Sequence, residues 1–174
     1  MNSQAKPNPL PPKSPSDSEV IQTHLILPPD ANALNTAFGG KVMEWIDLCA
    51  GICAQRHCRQ VAVTASMDDL HFHVPMRVGD IVILRARVLA TFHTSMEVGV
   101  TATRENPLTG ERTLATSALL TFVALDPEGR KAAVPPLKVE SPAEQVAMTE
   151  ATQRRQWRLE RKGTHSNWLR LLND

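Results

Sequence analysis

No apolar run in this 174-residue chain approaches the ~20 residues that a membrane-spanning helix requires. The first twenty residues are dominated by proline, serine, asparagine and lysine, which is not the pattern of a secretory leader. A charge imbalance is missing too. Lys plus Arg number 19 against 18 Asp plus Glu, so neither nucleic acid nor an anionic membrane is expected as a partner, and any anionic ligand must be met by a local cluster. Cysteine is scarce and odd in number. Cys49, Cys53 and Cys58 suit reduced core thiols better than a disulfide framework. Their spacing lacks a Cys-x2-Cys pair and a second ligand group, so no metal site is expected. These absences leave a soluble, cytoplasmic chain with room for one domain of ordinary core size.

Residues 1–18 are proline-rich with almost no large apolar side chains, which predicts a disordered tail. From Glu19 to Leu27 the pattern is strand-like and stops at Pro28-Pro29. From Val61 the apolar period becomes two. Val61, Val63, Ala65 and Met67, then Val82 to Ala90, then Met96 to Ala102, then Thr113 to Leu125 read as long strands separated by turn residues such as Glu105 to Gly110. One strand, a long apolar helix and about four further strands predict an α+β domain over 19–137, with an antiparallel sheet curled around the helix. Beyond a Val134-Pro-Pro-Leu linker, Ser141-Pro142-Ala143-Glu144 combines a capping box with proline at the first helical position. A C-terminal helical extension over 138–174 is expected, its helix ending near Gly163. Its basic residues Arg154, Arg155, Arg158, Arg161 and Lys162 read first as a solvated face, and Trp168-Leu-Arg-Leu-Leu suits docking on a neighbour.

The chemistry concentrates around Gly39-Gly40. From Val42 to Ala54 apolar residues occupy nearly the whole circumference of a helix, as for a rod enclosed by other structure. Lys41, Glu44, Asp47, Gly51 and Gln55 share one narrow stripe. Paired glycines clear side chains from the end where a helix presents unpaired amides, which suits an oxyanion. Asn32 can hold water or a carbonyl oxygen, and Asp47 can deprotonate water or attack directly. Asp47 lies seven residues beyond Gly40, about 10 Å along the axis, too far for both to serve one carbonyl. Two antiparallel copies of the helix solve this, so a two-fold dimer with composite sites is predicted.

Asp30-Ala-Asn-x5-Phe-Gly-Gly-Lys-x3-Trp-x-Asp47 is followed by Val63-Thr-Ala-Ser-x-Asp, Phe72-x2-Pro-x3-Gly-Asp80, Thr94-Ser-Met-Glu97 and Ala115-Thr-Ser-x-Leu-x2-Phe122. In this ordered combination, from about Thr23 to Leu137, the chain resembles the hot-dog-fold acyl-CoA thioesterases of the cytosolic acyl-CoA hydrolase type. The resemblance implies a sheet wrapped around the long helix, dimers commonly assembled as trimers of dimers, and hydrolysis of acyl-CoA to free acid and CoA without a further cofactor. It implies a catalytic pair from opposite subunits, Asn32 and Asp47 here, with the Gly40 amide as oxyanion donor. Gly39, Ser66, Thr94, Ser95 and Arg104 are the positions expected to touch substrate. Asn35 stands where many relatives carry glycine, and asparagine is the next most tolerant of positive φ. Two other readings compete: a hot-dog dehydratase or hydratase, suggested by His71 and His73, and a non-catalytic acyl-CoA or nucleotide-binding protein, which the presence of Asp47 disfavours.

Overall fold

Period-two alternation becomes an antiparallel sheet in the computed structural model, which describes residues 10–161. The strands are β1 (Val20–Leu25), β2 (Val61–Phe72), β3 (Ile81–Thr91), β4 (Ser95–Glu105) and β5 (Arg112–Leu125). They lie in the order β1-β3-β4-β5-β2, every neighbouring pair antiparallel. Helix α1 (Gly39–Cys58) connects β1 to β2, which lie at opposite edges of the sheet. Val82, Leu84 and Ala86 of β3, Val98 and Val100 of β4 and Leu120 and Phe122 of β5 form one core with Val42, Trp45, Ile46, Cys49 and Cys53 of α1. Each large side chain withdrawn from water in this core contributes roughly 1.5–3 kcal/mol.

The helix is enclosed on one side only. Met43, Leu48 and Ile52 remain exposed on the face that also carries Glu44 and Asp47, with Leu48 54% accessible. Five strands cover a single helix face, so this sheet alone does not supply the enclosure that the apolar circumference predicts. The phase of β2 also differs from a simple alternation. Ala62 points inward while Val61 and Val63 are exposed, and bulges between Thr64 and Ser66 and between Met67 and Asp69 shift the register against β5. Each bulge changes which side chains reach a given face.

The tail predicted over 1–18 does not extend that far. Residues 1–9 lie outside the described residues, but Lys13 to Ser18 are fastened to the domain by polar contacts that a count of apolar side chains overlooks. Lys13 Nζ donates to the carbonyls of His57 at 2.7 Å and Arg56 at 3.3 Å, closing the C-terminal end of α1. Lys13 also bridges to Leu137, and Pro15 and Ser18 are buried. His57, fully buried, meets Ser18 Oγ through Nδ1 at 3.3 Å and the Pro135 carbonyl through Nε2 at 3.1 Å. The three cysteines are buried and unpaired; burial pushes the Cys49 thiol up to about 11 and the Cys53 thiol up to about 12.

The chain divides into two compact units at Lys138. In the second, helix α2 (Pro142–Arg161) starts at the proline the capping box predicts. Ser141 Oγ accepts the Glu144 amide at 3.3 Å, while the Glu144 carboxylate accepts the Glu140 amide at 2.8 Å, one residue earlier than a regular capping box would place it. The expected helix end at Gly163, Lys162 and the Trp168 segment lie outside the described residues. Among the described residues no helix is long and apolar enough to cross a membrane.

Candidate active site

The loop from Pro28 to Phe38 is built around the Asn32 side chain. Its Oδ1 accepts hydrogen bonds from the Leu34 amide at 2.9 Å, the Thr36 amide at 3.3 Å and the Thr36 hydroxyl at 3.1 Å. Three donors converging on one oxygen fix the orientation of the amide. No hydrogen bond among the described residues engages its nitrogen. Asn35, between these donors, has φ 55°, the left-handed conformation that asparagine tolerates best after glycine. Its carbonyl accepts the Val78 amide at 3.2 Å, and the Ala37 amide donates to Met76 at 2.7 Å, so the loop is tied to the segment that follows β2.

Phe38 precedes α1 and its carbonyl accepts both the Lys41 and the Val42 amides. The Gly39 and Gly40 amides, in the first turn, have no backbone acceptor among the described residues. A β-carbon on Gly40 would come within 2.9 Å of the Phe38 ring, so glycine lets that ring lie against the helix start. Asp47, half-buried two turns further on, accepts the Thr64 hydroxyl through Oδ1 at 2.7 Å. No hydrogen bond among the described residues engages its Oδ2. Lys41 pairs with Glu44 at 3.1 Å on the same face.

Thr64 is the residue that sequence reasoning missed. It falls inside a motif already singled out, Val63-Thr-Ala-Ser66, yet a threonine on a strand carries no signal until the strand is seen beside the helix carboxylate. Ser66, two residues on, donates to Asp68 at 3.2 Å. Thr94 and Ser95 form the turn into β4, the Thr94 carbonyl accepting the Ala124 amide at 3.0 Å. Arg104 is committed through Nε to Asp80 at 2.9 Å. His73 Nε2 lies 2.9 Å from Ser117 Oγ, and His71 stacks beside it. Among the described residues, no group of His, Cys, Asp and Glu could hold a metal ion. At the start of α1 an open cleft of about 320 Å3 is lined by Thr36, Ala37, Gly39, Val42, Phe72, His73, Val74, Pro75 and Met76.

The thioesterase superfamily model matches residues 34–111. Over 153 residues the chain is 44% identical to an acyl-CoA thioester hydrolase of Bacillus subtilis, a match covering 88% of each protein. The chain belongs to the hot-dog-fold acyl-CoA thioester hydrolases. It spans only about a quarter of the length of the longer mouse and rat thioesterases that it also matches. A hexameric acyl-CoA thioesterase solved in its apo form is 40% identical and superposes with a TM-score of 0.86 over 90% of this chain and 100% of that one. An acyl-CoA hydrolase of Staphylococcus aureus, solved with butyryl-CoA, CoA and CoA disulfide, is 35% identical with a TM-score of 0.85 over 94% of this chain and 100% of that one. Further structures of the same hydrolase carry alanine in place of one asparagine, one aspartate and one threonine. Those three positions are separated by 15 and 17 residues, the spacings of Asn32, Asp47 and Thr64 in this thioester hydrolase chain.

Proposed function

We propose that two copies of this chain build two composite sites in which acyl-CoA and water are converted to a free carboxylic acid and CoA. The observation that carries this reading is the half-buried Asp47 carboxylate, oriented by Thr64 on the exposed face of the helix, in a chain 44% identical to an acyl-CoA thioester hydrolase. In each site the thioester carbonyl lies at the Gly40 amide of one copy, where the helix end and its dipole favour the developing oxyanion. The Asn32 nitrogen donates to that oxygen or to the attacking water. Asp47 of the second copy either removes a proton from water or attacks the carbonyl to form a mixed anhydride that water then opens. In either case CoA leaves as the thiol, taking up a proton, and no cofactor beyond the substrate is required. Gly39, Ser66, Thr94, Ser95 and Arg104 remain the proposed substrate contacts, with Arg104 reaching phosphate only through the nitrogens not held by Asp80.

The exposed Met43, Leu48 and Ile52 of α1 supply an apolar surface suited to a second copy. The hexameric relative supports further assembly as a trimer of dimers. We place the reaction in the cytoplasm. Purified protein incubated with acyl-CoAs of several chain lengths and a thiol reagent should release free CoA; a flat trace across the panel removes this function. Asn32→Ala and Asp47→Ala subunits, each inactive alone, should recover activity when mixed, and no recovery despite measured subunit exchange would reject shared sites.

A further inference from the structure

The cleft at the start of α1 has a floor and a mouth of different character. Val42 and Met76, both buried, close it from below, while Phe72, His73 and Pro75 are exposed at its rim. Gly39 lies in its wall, next to the amide proposed to hold the thioester oxygen. The Ala37 amide ties the helix-entry loop to the Met76 carbonyl at 2.7 Å, and His73 is tied to Ser117 at 2.9 Å, so both sides of the cleft are braced. Phe72 is the exception. Its ring reaches to 3.6 Å from the place a Gly39 β-carbon would occupy but is half exposed, and it forms an outer wall of the cleft.

The geometry points to this cleft as the acyl subsite, selecting short and medium chains of up to about ten carbons, with Met76 and Val42 as the stop. The inference rests on the hydrolase reading above and adds the class of acyl group that the site takes. An engineered apolar cavity of about 150 Å3 holds one six-carbon benzene. A volume of about 320 Å3 therefore covers roughly twelve carbons if filled completely, and fewer in a cleft open to solvent. A longer chain meets the Val42 and Met76 stop before its thioester settles at the Gly40 amide, and is turned over more slowly. Within the cleft each added methylene raises kcat/KM by up to roughly fourfold, the equilibrium equivalent of burying one CH2.

The test is kcat/KM for acyl-CoAs from two to sixteen carbons, measured on the intact protein and on Met76→Ala and Phe72→Ala. The unaltered protein should rise to an optimum between about six and ten carbons and fall at least tenfold by sixteen. Met76→Ala deepens the floor and should raise the ratio of twelve-carbon to four-carbon kcat/KM at least tenfold. Phe72→Ala removes an exposed wall without touching the core and should raise the same ratio severalfold, so the inference stays testable if the buried methionine proves necessary for folding. An optimum at sixteen carbons, or a ratio unmoved in a folded variant, overturns it. Equal losses at every chain length, with inhibition by free CoA weakened in step, would give the cleft to pantetheine and also overturn it. No turnover of any acyl-CoA removes the hydrolase reading and this inference together, whereas turnover with an unchanged profile removes this inference alone.

Discussion

The Thr64 hydroxyl donates to Asp47 Oδ1 across 2.7 Å, joining the edge strand to the exposed face of the central helix. A hydrogen bond to a charged group is worth about 1.5–3 kcal/mol, roughly ten- to a hundredfold in rate if it is needed to hold the carboxylate. Replacing Thr64 with valine preserves shape and removes the donor. We expect kcat to fall by about tenfold or more with little change in KM, and Thr64→Ser to recover most of it. Steady-state kinetics on the two variants decide whether the threonine positions the acid or merely fills the strand.

Asp47→Asn keeps the size of the side chain and an oxygen for Thr64. It should lower kcat by about a hundredfold or more, the usual scale of lost general-base catalysis, while the oligomer seen by light scattering stays the same. In a single turnover in 18O-labelled water, label entering the Asp47 peptide marks an anhydride opened at the Asp47 carbonyl.

Gly40→Ala sets stability against activity. Alanine favours helix over glycine by up to about 1 kcal/mol, and the Phe38 ring it would meet is exposed and free to move aside. The melting temperature should therefore hold or rise. The displaced ring and the new methyl crowd the amide, and kcat should fall at least tenfold. A variant with full activity would exclude the Gly40 amide as the oxyanion donor.

His57 makes stability depend on pH. Burial holds its pKa below the usual 6.5, with nearby Lys13 acting in the same direction and the bond to Pro135 opposing. Below about pH 6.5 the unfolded chain therefore takes up a proton that the folded chain refuses. Stability should fall as pH drops through that value, by up to about 1.4 kcal/mol per pH unit, and level off once the folded form titrates as well. His24, stacked on Trp45 and lowered by its own burial, adds in the same direction. Asp17 is held below the ordinary carboxylate value by the Ser14 amide and titrates at lower pH than this window. Urea midpoints at pH 7.5, 6.5 and 5.5 should decline in the intact protein and decline less steeply in His57→Gln.

Much of this arrangement was legible in the residues. Gly39-Gly40 marked the start of α1, Asn35 announced a left-handed turn, and the stripe through Glu44 and Asp47 gave the polar face of the helix. Three features were hidden for physical reasons. Bulges in β2 alter which residues face inward, and no alternation pattern reveals where an extra residue sits. Thr64 gains meaning only from a helix seventeen residues earlier in the chain. The order of residues 13–18 comes from a lysine closing helix carbonyls and a buried serine, neither of which adds apolar area.

The buried thiols on α1 bear on how the enzyme can be assayed. A reagent that counts sulfhydryls should see released CoA against almost no background from the folded chain, since none of its own three cysteines is accessible. On unfolding, the same reagent should register those three equivalents per chain. Turnover and denaturation thus leave different stoichiometric signatures in one optical trace, and a variant that is inactive because it has lost its fold can be told at once from one that has lost only its chemistry.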